Sequence, residues 1–162
     1  MPASTPPPTA ALGQKTAEQR MPDLSDLGFE PVQSAPEPLS SPQWEGHRTL
    51  YRNGRTGEQV MVIAYVGADP AFAEQQFAAM AEALKNPPPA VFGAQAVMVD
   101  DVAPPLGDER RSYRARDPDS QGNTVWTDIY RREAVVVIVQ YLGPATGDAM
   151  RVRTTAADRA LQ

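Results

Sequence analysis

His47 is the single histidine of a 162-residue chain that contains no cysteine. Imidazole is the side chain that titrates near neutrality, so proton transfer or metal ligation would centre there. Glu45 stands two residues away, on the same strand face if the strand extends that far. The two together have the atoms to bind a metal or move a proton. A solvent-facing histidine on an early strand is the plainer reading. Carboxylates gather in two further places. Asp100-Asp101 and Asp108-Glu109 flank a Pro-rich loop whose spacing does not fit an EF-hand. Asp117, Asp119 and Asn123 resemble the oxygen ligands of a calcium loop, and they are equally ordinary turn residues. Neither group is assigned a metal, and no cofactor is expected.

Arginine carries more information. Arg110, Arg114 and Arg116 fall on one face of a predicted strand by period two, with Arg111 and Tyr113 on the other. A guanidinium row binds phosphate, carboxylate or an acidic partner. It can equally pair with Asp128 and Glu133 across a sheet, or protect a sheet edge. Trp126 and Tyr130 share one face of the next strand, the outer face if Val125 and Ile129 point inward. Aromatics so placed are common at binding surfaces and also common beneath a helix. The candidate binding residues are therefore Arg110, Arg114, Arg116, Trp126 and Tyr130, for a protein partner or a small ligand. No catalytic residue is assigned: the chain has no G-x-S-x-G, no P-loop and no G-x-G-x-x-G.

The elements that would hold these residues follow from hydrophobic period and punctuation. HRTLYRN, GRTG and EQVMVIAYVG read as a hairpin, with Asn53-Gly54 and Gly57 supplying the turn. The run Val60–Val66 is almost wholly apolar, as in a central strand buried on both faces. Asp69 is a good N-cap with Pro70 behind it. Ala73, Phe77, Met80 and Leu84 then make one apolar helical stripe, and Pro87-Pro88-Pro89 forbids continuation. AQAVMVDDV, ERRSYRARD, TVWTDIYRRE and VVVIVQY read as four more strands, and GDAMRVRTTAADRALQ as an amphipathic helix. That helix would bury Ala149, Val152, Ala156 and Ala160 and turn Arg151, Arg153 and Arg159 outward. The order is β–β–α–β–β–β–β–α. It predicts an α+β fold: a mainly antiparallel sheet of about six strands with two helices packed on it.

Proline divides the chain. Nine of its 17 prolines lie in the first 42 residues. Residues 1–20 have almost no large apolar side chains and read as a disordered Pro-rich tether. Residues 21–43 form an irregular lead-in, with Leu24, Leu27, Phe29 and Val32 enough for a short turn and an edge strand. A single domain then spans 44–162. The start is not a secretory signal peptide, but it looks like the Ser/Thr/Pro-rich tether that follows one, as in bacterial lipoproteins. An extracytoplasmic address is expected; a cytoplasmic protein with a ragged start is the alternative. The net charge of −5 argues against general nucleic-acid binding. Membrane contact would come only through a removed or lipidated N-terminal anchor.

The segment GADPAFAEQQFAAMAEAL, the string PLGDERRSYRAR, the hairpin into YRREAVVVIVQYLGP and the Ala-rich final helix together resemble bacterial extracytoplasmic lipoprotein domains of unassigned activity. The layout looks like the PsbP-like sandwich of mycobacterial LpqN-type lipoproteins. Gly107-Asp108-Glu109 matches one signature of that class; Arg131-Arg132-Glu133-Ala134 fills a turn where Gly-Asn is usual. The resemblance covers roughly 44–162 and transfers no functional residue. It implies a non-enzymatic binding domain tethered to a membrane in its precursor. The alternatives are an accessory subunit of a membrane complex, or an enzyme or metal-binding domain using His47 and nearby carboxylates.

Overall fold

A computed structural model describes residues 14–39, 42–86, 97–145 and 147–162. Seven strands form one sheet: β1 (Phe29–Pro36), β2 (Trp44–Asn53), β3 (Gln59–Gly67), β4 (Met98–Asp101), β5 (Glu109–Ala115), β6 (Asn123–Arg132) and β7 (Val135–Pro144). Their spatial order is β1-β2-β3-β7-β6-β5-β4, and every neighbouring pair is antiparallel. Helices α1 (Pro70–Lys85) and α2 (Gly147–Leu161) pack on it. The α+β architecture with an antiparallel sheet is as expected. The strand count rises from about six to seven because the lead-in contributes a full edge strand.

Local chemistry explains the elements. Pro31 and Pro36 sit on β1, where an edge strand tolerates missing N–H donors. The Asp69 side chain accepts the Phe72 N–H at 2.8 Å and so caps α1, with Pro70 beginning the helix. In the β2–β3 turn, Asn53 Oδ1 accepts the amides of Arg55 and Thr56, and Gly57 takes φ +77°. The expected stop at Pro87-Pro88-Pro89 lies outside the described residues; the helix ends with Asn86 as its C-cap.

The strand period of two splits the core into two layers. On one face Val60, Val62, Ala64, Val137, Val139 and Tyr141 pack under Ala149, Val152, Ala156 and Ala160 of α2. On the other, Tyr65, Ile129, Val136 and Ile138 pack against Ala73, Phe77 and Ala81 of α1. Covering both faces of β7 removes the usual polar alternation, and this is why Val135–Val139 is an unbroken apolar run. Among the described residues no helix is long and apolar enough to cross a membrane.

Two expectations change here. Of the tether expected over 1–20, residues 1–13 lie outside the described residues. Residues 14–20, however, carry a 3₁₀ turn (Glu18–Arg20) whose Ala17 is buried in the α2-side core. Arg153, expected to face outward, is 98% buried. It points from α2 into the sheet, for a reason that belongs to the site.

Candidate functional site

β5 pairs with β4 only from Ser112 onward, where Asp101 stands opposite it. Arg110 and Arg111 lie just before that point. The chain leaving β4 turns away over 102–108, and a groove of about 530 Å³ opens between it and β5. Asp101, Val102, Pro105, Arg110, Arg111 and Ser112 are among its walls.

The charges around this groove are mostly committed. Arg114 Nε lies 3.7 Å from Asp101 Oδ2, and the same oxygen accepts the Trp126 indole N–H at 2.9 Å. Arg116 pairs with its neighbour Asp117 at 3.2 Å, and Lys85 with Asp100 at 3.7 Å. Arg131 binds Glu109 at 2.5 Å and Asp108 at 3.7 Å. The hydrogen bond to Glu109 holds its guanidinium above the ordinary arginine range. The arginine row thus uses Asp101 and Asp117 as partners, rather than the cross-sheet Asp128 and Glu133. Arg110 and Arg111 are exposed, and among the described residues neither has a carboxylate partner. Arg111 Nη1 donates only to the Arg110 carbonyl, at 2.9 Å.

The aromatic part of the expected surface is not a surface. Trp126 is 8% exposed and Tyr130 fully buried, because α2 lies over the strand face they share. Asp128, between them, is also fully buried. A buried carboxylate requires a counter-charge, and Arg153 supplies it. Its Nε donates to Asp128 Oδ2 at 2.8 Å and its Nη2 to Oδ1 at 2.7 Å, a bidentate fork. Ser112 Oγ donates to Oδ1 at 2.5 Å and accepts from Arg153 Nη2 at 3.0 Å. The guanidinium carbon lies 5.1 Å from the centre of the Trp126 ring, within cation–π range. The Tyr130 hydroxyl is buried close to the Asp128 carboxylate. Burial, then the nearby Asp128 charge, pushes its pKa far above the usual phenol value. This cluster locks α2 to the sheet and is sealed from solvent.

His47 also departs from expectation. It is 8% exposed rather than solvent-facing, and its Nε2 lies 2.7 Å from Ser34 Oγ on β1. Ser34 in turn contacts Thr49 Oγ1 at 3.0 Å and borders a cleft of about 580 Å³. Glu45 turns elsewhere and accepts the Ala17 amide at 2.9 Å. The distance suits a nucleophile and its base. However, no carboxylate contacts the ring among the described residues, so the orienting member of a hydrolytic triad is not assembled. Sequence reasoning missed Ser34. Its approach to His47 depends on a register shift between Pro31 and Gln33, which local pattern does not reveal.

The carboxylates considered for calcium do not converge. Asp119 Oδ1 accepts the amides of Gln121 and Asn123 at 2.9 and 2.8 Å, which is turn chemistry. No group of three His, Asp or Glu positioned for a metal occurs among the described residues.

No family model matches the chain, and no curated protein matches it. Among solved structures it is similar to the extracellular domain of PknH from Mycobacterium tuberculosis, with a TM-score of 0.62. The match covers 89% of this chain and 94% of that one, at 12% sequence identity. At that identity the likeness is one of fold: the α+β sheet architecture described above is shared with a bacterial extracellular domain.

Proposed function

We propose that this chain is a non-enzymatic extracytoplasmic binding domain, tethered to a membrane in its precursor, and that it docks an acidic segment of a protein partner at Arg110 and Arg111. The observation that carries the reading is the charge pattern at the β4–β5 groove. Arg114, Arg116 and Arg131 have carboxylate partners within this chain, whereas Arg110 and Arg111 stand exposed beside the groove and, among the described residues, have none; the groove's own Asp100 and Asp101 pair with Lys85 and Arg114. Uncommitted guanidinium groups recognise carboxylates bidentately and steer acidic partners. The extracytoplasmic address is supported by the fold shared with an extracellular domain and by the Pro-rich leading segment.

The test is a fluorescence-anisotropy titration with a short fluorescein-labelled poly-glutamate peptide. The wild type should bind it in a salt-sensitive way. The double variant R110A/R111A should weaken binding by about tenfold, roughly 1.4 kcal/mol, while R116A leaves it unchanged. Equal binding by wild type and double variant would remove this surface from consideration. Protease accessibility of the protein on intact cells tests the address, and protection equal to that of a cytosolic marker would refute it.

A further inference from the structure

A second basic site lies beside the β6–β7 turn, at the same strand end as the first groove but centred on the end of α2, and nothing in the reading above uses it. A cleft of about 780 Å³ opens between the end of α2 and the β6–β7 turn, bordered by Lys15, Arg20, Arg132, Glu133, Leu161 and other residues. Arg20 is 93% buried. Its Nη1 donates to the Ala160 carbonyl at 3.2 Å, and among the described residues its buried Nε has no hydrogen-bond partner. Arg132 is close enough to act on it as a like charge. Among the described residues no carboxylate pairs with Lys15, Arg20 or Arg132. The one side-chain carboxylate on the border, Glu133, is exposed, and Gln162, the last residue of the sequence, also lines the cleft.

This arrangement is physically unbalanced. A guanidinium cannot shed its charge at any ordinary pH, so burial leaves it needing a counter-charge. The carbonyls at the end of α2 supply only a partial negative charge. A second guanidinium nearby worsens the balance. An anion between the two would correct it, and planar guanidinium forks match the oxygens of a phosphate group.

We infer that this cleft binds a phosphate group, held by Arg20 and Arg132 with Lys15 at the rim. The group could arrive as free phosphate or as a lipid headgroup; the chemistry at the arginines is the same. Two experiments separate the sources. Inorganic phosphate is titrated into the full chain by calorimetry, with the thermal midpoint followed in parallel. Sedimentation is measured with phosphatidylcholine vesicles with and without phosphatidic acid. Saturable binding of phosphate with a raised midpoint identifies the free ion. Binding to phosphatidic acid vesicles alone identifies the headgroup. Either result supports the site, provided that R132A weakens it about tenfold or more and R110A/R111A does not. Arg132 and Lys15 are chosen for substitution because they are less buried than Arg20, whose replacement risks the fold. Absence of both kinds of binding, or binding unaltered in R132A and K15A, would overturn the proposal. Because R110A/R111A reports on the other groove, failure here is distinguishable from failure there.

Discussion

Replacing Arg153 by methionine removes one half of a buried ion pair while roughly keeping its stem. Asp128 accepts three hydrogen bonds, two from Arg153 and one from Ser112. The variant keeps one. Both charged side chains are at least 98% shielded, so water cannot replace the lost donors without opening the α2–sheet interface. An orphaned buried carboxylate costs about 3–5 kcal/mol, a large share of the roughly 5–15 kcal/mol that holds a domain together. Asp128→Leu should cost a similar amount, because it strands the guanidinium beneath α2. The double variant D128L/R153M removes both charges and fills the space with apolar atoms. It loses both hydrogen bonds of the Ser112 hydroxyl and the cation–π contact, so it should lie within about 2 kcal/mol of wild type. Urea unfolding followed by circular dichroism measures all four proteins, with unchanged slopes certifying a common two-state transition. If Arg153→Met costs less than about 1 kcal/mol, or the double variant costs the sum of the singles, the buried pair is not the lock described.

Other outcomes follow from the same physics. Asp69→Ala removes the side-chain cap of α1 and should cost about 1 kcal/mol in the same urea assay; no change would mean that the cap is redundant. Glu133 has φ +52° in the β6–β7 turn, so Glu133→Asn should be neutral or slightly stabilising and Glu133→Val should cost about 1–2 kcal/mol. The opposite order would show that the turn is not strained. All five tyrosines have pKa values raised first of all by burial, Tyr51 to about 12. Below the unfolded value of about 10 both states are protonated and this contribution is present in full. Above it the unfolded chain releases protons first, so stability should fall as pH rises from about 10. Phenolate absorbance should then appear together with unfolding; tyrosines titrating near pH 10 in the folded protein would contradict their burial.

Much of the frame was legible because it was written in local chemistry. Asp69-Pro70 and the Ala73–Phe77 stripe mark α1, and unbroken apolar runs mark β3 and β7 as central strands. The binding surface was less legible, because it depends on which side of each element is covered. Reading α2 by its apolar positions alone turns Arg153 outward. The sign against that was Asp128 between Trp126 and Tyr130, a carboxylate on a face that a helix must cover and neutralise. Arg114 and Arg116 matched the expected row by period, but period says nothing about Asp101 and Asp117 reaching them. The turn Arg131–Ala134 was legible only through the resemblance, because glutamate is a poor residue for a positive φ. Here the Glu133 amide is held by the Asp108 carboxylate and the Ala134 carbonyl accepts the Gly67 amide. Those neighbours impose the conformation that Gly-Asn would adopt unaided.

The most direct test of the central claim is an amide-resolved NMR titration of the full chain with the poly-glutamate peptide. The expected result is a saturable set of shifts confined to Arg110, Arg111, Ser112 and the facing 101–105 segment, leaving the Ser34–His47 region unmoved. Shifts centred on Ser34 and His47, or none anywhere at concentrations that saturate anisotropy, would contradict it.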